Sequence, residues 1–90
     1  MIEQYQELAN AIVETAVKDY RRLARGYHQT IKKRKRARKK EIRESLLYKQ
    51  RAIRRKLTEI EKFFTSKWFS ELTEIDGNMV LERLRKECKL

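Results

Sequence analysis

The chain has 90 residues, no proline, two glycines, one cysteine and a formal net charge of +11. That length allows one small domain, 1–90, with a thin core beneath a heavily solvated surface. It excludes an internal disulfide, and no apolar run approaches the roughly 18 residues that cross a bilayer.

So few breakers predict long helices and an all-α fold, a small bundle or helical hairpin with two long helices and short C-terminal ones. The first segment carries a stripe at steps of three and four: Ile2, Tyr5, Leu8, Ile12, Ala16, Tyr20 and Leu23. Arg21, Arg22 and Arg25 suit the negative end of a helix, and Gly26 suits the residue after it, so the first helix is predicted to stop there. Its acids Glu3, Glu7, Glu14 and Asp19 are unlike a cleaved secretory signal.

The next stretch, YHQTIKKRKRARKK, has no stripe, and eight neighbouring cations repel one another. The expectation is a loose segment that an anion would join to the helix after it. That second helix is well patterned, with Ile42, Leu46, Ile53, Leu57, Ile60 and Phe64 in a narrow arc. Lys33, Lys40, Tyr48, Arg51, Arg55 and Lys62 fall on the opposite face, with Glu44 the one acid among them. A helix continuous from Lys32 to Lys56 would carry a basic side about 37 Å long.

In the tail, Ser66 is placed to cap a short turn through Trp68, Phe69 and Leu72. Thr73 and Asp76 have capping-box spacing, with aspartate in place of glutamate, and Glu74 and Asp76 favour a helix start. Val80, Leu84 and Cys88, helped by Ile75 and Leu81, would form the inner face of the last helix. No strand and no internal repeat is predicted.

The charge is lopsided. Residues 32–56 hold fourteen Lys or Arg against Glu41 and Glu44, a net of +12, so the rest of the chain is near neutral at −1. Such a block indicates a polyanion or acidic partner. The residues assigned to binding are Lys32, Lys33, Arg34, Lys35, Arg36, Arg38, Lys39, Lys40, Arg43, Tyr48, Arg51, Arg54 and Arg55. A passive solvated face mixes signs and this one scarcely does. A membrane-surface helix needs bulky apolar neighbours, and 32–41 offers only Ala37. A nuclear localisation signal fits the run in form. Arginines without Asn or Gln on the outer face point to phosphate contacts rather than base reading, with Gln50 off to one side.

No catalytic, cofactor or metal site is predicted. His28 and Cys88 are sixty residues apart in sequence, with neither nucleophile–base nor ligand spacing. His28 reads as a polar residue after the first helix, and Cys88 as a small apolar residue. Gly77 lacks the companion glycines of a phosphate loop. Phe63, Phe64, Trp68 and Phe69 read first as core, with base stacking and a partner groove as alternatives. Tyr48, on the cationic face, is a candidate for stacking.

The segments AIVETAVKDYRRL (11–23) and EIEKFFTSKWFSELTEIDGNMVLERLRKE (59–87) resemble small phage and prophage proteins of Gram-positive bacteria. The pattern runs through Phe63, Phe64, Ser66, Trp68, Phe69, Leu72, Thr73, Asp76, Gly77, Val80, Leu81, Leu84 and Arg85. The resemblance covers nearly half the chain, carries no assigned reaction, and implies a bacterial host cytoplasm; the basic block departs from it. The expectation is a non-enzymatic binder of DNA, RNA or a nucleic-acid–protein complex. Within that, a counter-defence inhibitor of the anti-CRISPR kind, acting on a CRISPR-type nuclease ribonucleoprotein, stands beside a general nucleic-acid-binding accessory protein. A helical scaffold or homodimer built on Phe63–Phe69 is the third reading.

Overall fold

The computed structural model describes residues 2–90, with side chains from Gln4 onward, so the inward position expected for Ile2 lies outside the described side chains. Four helices follow one another: α1 (Ile2–Arg36), α2 (Lys40–Phe64), α3 (Lys67–Leu72) and α4 (Gly77–Cys88). There is no strand among the described residues. Two long antiparallel helices make a rod of 56 × 22 × 17 Å, and α4 lies along one side of it.

Two boundaries differ from the sequence reading, and both bear on the basic block. Helix α1 does not stop at Gly26; it runs ten residues further, to Arg36. Lysine and arginine are good helix formers, and Thr30 is buried, with Ile31 and Arg34 half-buried, so packing holds the extra turns. The chain reverses over Ala37–Lys39 instead. Lys32–Arg36 therefore end the first helix rather than begin the second, and the continuous 37 Å basic side does not exist.

The core joins Tyr20 and Ala24 of α1, Leu57 and Phe64 of α2, Phe69 of α3, and Leu81 and Leu84 of α4. Burying a side chain such as Leu57 stabilises by about 1.5–3 kcal/mol. Phe63, Phe64 and Phe69 meet tilted or edge-on, with ring centroids 5.5–5.6 Å apart. Trp68 joins them through Phe63 at 5.5 Å, yet it is 56 % exposed and is not a core residue. Tyr5, Leu8, Ile42 and Ile75 are likewise exposed, because each stripe outruns the partner that would cover it.

Caps set the short elements. Ser66 accepts from the Phe69 amide, as its position predicts. Asp76 itself caps α4, accepting from the Asn78 amide, while Thr73 accepts from Ile75 instead of closing a capping box. Gly77 opens α4 against the end of α2, where an added Cβ would sit 1.8 Å from the Phe64 carbonyl oxygen. Only glycine fits there. At the far end Lys89 turns left-handed (φ 57°) and Leu90 N–H returns to the Arg85 carbonyl, closing the helix without a glycine.

Candidate nucleic-acid interface

Helix α4 ends level with His28, whose Nε2 lies 2.7 Å from the Cys88 carbonyl oxygen. His28 is therefore inside α1 and tied to α4, not after the helix. Beyond it, residues 29–50 form a two-helix arm with no third element over it. This arm holds ten Lys or Arg against Glu41 and Glu44, a net of +8.

Lys32, Lys33, Arg34, Lys35 and Arg36 lie on the last turns of α1, Arg38 and Lys39 in the reversal, and Lys40 and Arg43 on the first turn of α2. All are exposed except the half-buried Arg34. Arg34, Lys35, Lys40 and Arg43, with Glu44 and Leu47, line a cleft of about 380 Å³ at the tip. Lys40 Nζ reaches Glu44 at 3.9 Å. With both side chains largely exposed, this pair gives little stability and leaves Lys40 free to exchange partners.

The remaining assigned residues separate from this group. Tyr48 projects from α2, 73 % exposed. Arg51 and Arg55 are exposed but further down α2, Arg55 about 22 Å from Lys40 along the axis at 1.5 Å per residue. Arg54 turns to the body, with Nη2 3.6 Å from Glu61.

Glu61 was not among the residues singled out from sequence. Its side chain is 9 % exposed and accepts from the Tyr20 hydroxyl at 2.7 Å and from Arg85 Nε at 3.4 Å. Burial alone would push its carboxyl up; the hydrogen bonds from Tyr20 and Arg85 and the nearby Arg54 outweigh that and hold it below the ordinary value. Tyr20 is pushed up to about 12, first by burial and then by its bond to Glu61. One signal was available: Glu61 follows Leu57 by four residues and precedes Phe64 by three, on the apolar arc. The cluster ties three helices together around an enclosed carboxylate, while Arg54 and Arg85 stay nearly half exposed, which marks it as structural.

Burial also raises the Cys88 thiol, aided by Glu87, so the thiolate is disfavoured. No group of three metal-capable side chains occurs among the described residues. None of their helices is long and apolar enough to cross a membrane. Comparison with known protein families, curated proteins and solved structures returned no match to this chain.

Proposed function

We propose that this protein binds the phosphate backbone of a nucleic acid, free or within a nucleic-acid–protein complex, through the arm at 29–50. The observation that carries the reading is the concentration of +8 on an exposed two-helix projection, where among the described cations of 29–50 only Lys40 has an acidic partner, the loosely held Glu44. Exposed cations of one sign release condensed counterions when they meet phosphates. The tip cleft, with two cations from each helix, suits a phosphate between the helix ends.

Lysines and arginines without Asn or Gln beside them on the outer face argue against base reading. Contacts are therefore to backbone, with little sequence preference. The binder acts without catalysis of its own. We extend the proposal to a narrower version, which rests on the tail's resemblance to phage proteins as read from the sequence and on no match to a known protein, in which the arm competes for guide RNA in a host nuclease complex.

The test is a titration of labelled duplex DNA and of single-stranded RNA across salt. Six to ten phosphate contacts lose about 10³–10⁵ in affinity between 50 and 200 mM salt. Binding that ignores salt, or none at 50 mM, overturns the reading. Stoichiometric inhibition of a purified ribonucleoprotein nuclease, with weak binding to naked duplex, selects the narrower version.

A further inference from the structure

The end of the rod opposite the arm has the contrary charge. Residues 4–17 and 65–76 hold five acids (Glu7, Glu14, Glu71, Glu74 and Asp76) against Lys67, a net of −4. One molecule thus carries −4 at one end and +8 at the other, along an axis of 56 Å.

One long side also lacks a covering helix. Arg21 and His28 mark the side of α1 that α4 occupies. Ile12 and Asp19 lie about 160° round the helix from them, at 100° per residue. There a groove of about 290 Å³ is lined by Ile12, Thr15, Ala16, Asp19, Glu59, Ile60, Phe63 and Trp68, with nothing from α4. Tyr5 and Leu8 extend this side past the groove, and both are more than half exposed. Ile42, five turns from Ile60 on the same side of α2 and 48 % exposed, extends it onto the arm. The two acids on the groove rim are matched within their own helices, Asp19 by Arg22 at 3.4 Å and Glu59 by Lys62 at 3.7 Å.

We infer that a second copy of this chain covers this face, packed antiparallel. The charge pattern selects the occupant and its direction. Parallel copies would set −4 beside −4 and +8 beside +8, whereas antiparallel copies set each arm beside the other's acidic end. The arrangement is a closed two-fold pair, so it makes both favourable contacts at once and does not propagate. At 0.1 M salt the Debye length is about 10 Å, so the facing ends attract while the excess positive charge elsewhere on each rod is largely screened. A side 56 Å long and at least 17 Å wide has room for the roughly 800 Å² per partner of a stable interface. Each arm then has two competing occupants, a phosphate backbone and the partner's acidic end. Nucleic acid and pairing oppose each other by the same factor.

Sedimentation of the protein alone, free of nucleic acid, tests this independently of the function proposed above. The mass should approach that of a dimer as concentration rises at 0.1 M salt and fall back at 1 M. Trp68→Glu, at an exposed site, should keep full helicity and weaken pairing about tenfold or more. Lys40→Glu/Arg43→Glu and Glu71→Lys/Glu74→Lys should each weaken pairing, because each reduces the charge on one of the two facing ends. In a Cys88→Ser background, a spin label on Ala37→Cys should report a tip-to-tip distance near the rod's length. A monomer at every concentration up to the solubility limit, pairing unchanged by both charge reversals, or labels within about 20 Å of each other would overturn the antiparallel pair.

Discussion

The body and the arm are built from the same two helices, and they differ in what holds them. In the body a third helix closes the layer, Tyr20, Leu57, Phe64 and Phe69 are fully enclosed, and a buried carboxylate is satisfied from three helices. In the arm, Thr30 is the one fully buried side chain, and its hydroxyl bonds back to the Gly26 carbonyl within its own helix. At the base of the arm Gln50 Oε1 is enclosed and has no hydrogen-bond partner among the described residues. Stability is concentrated in one half of the rod and charge in the other. Eight cations in nine residues would strain a closed core; on a bare hairpin their repulsion is relieved by solvent or by an anion.

Perturbing the two halves should therefore give unequal results. The largest effect is expected from Gly77→Ala, because the added Cβ meets backbone rather than a movable side chain. The loss should exceed the ~1–3 kcal/mol usual for overpacking, read by chemical denaturation, and α4 should detach. Leu57→Ala should cost about 2–5 kcal/mol by the same measurement. Tyr20→Phe removes one donor from the buried Glu61 and should cost about 1–3 kcal/mol.

The same cluster gives the body a pH response. Glu61 is depressed in the folded state, so its contribution is present above the ordinary carboxylate value of 4.5 and is lost as pH falls through the folded value. Tyr20 is raised, so its contribution is present below 10 and is lost as pH rises from 10 towards 12. Melting temperature against pH should fall at both ends, and Glu61→Gln should flatten the acid limb and only reduce the alkaline one, since burial remains the main cause of the Tyr20 shift. The smallest effect belongs to the arm: Lys35→Gln with Lys39→Gln should change stability by no more than about 0.5 kcal/mol, and upward if at all, since like charges are removed.

The sequence told the body and the arm apart unevenly. The all-α class followed from the absence of proline and the 3.6-residue stripes, and the Ser66 cap was legible because capping is local. The end of α1 was not. Gly26 after three arginines has the form of a stop, but tertiary packing of Thr30, Ile31 and Arg34 carried the helix past it. That one boundary moved Lys32–Arg36 to the other helix and turned an expected basic stripe into a basic tip. Trp68 misled for a related reason: composition says that large aromatics belong inside, and only the positions of α1 and α4 decide which of four neighbouring rings is left out.

The account depends on position and not on total charge, and one paired measurement isolates that. Reversing Lys35, Lys40 and Arg43 to glutamate, and separately reversing Arg83, Lys86 and Lys89 on α4 and its cap, changes net charge by the same amount at exposed sites. Affinity for a labelled duplex at fixed low salt, with the salt slope, should collapse for the arm variant and stay within a few-fold of the parent for the α4 variant. Equal losses in the two would mean that phosphates meet the whole surface, and the arm would have no special part.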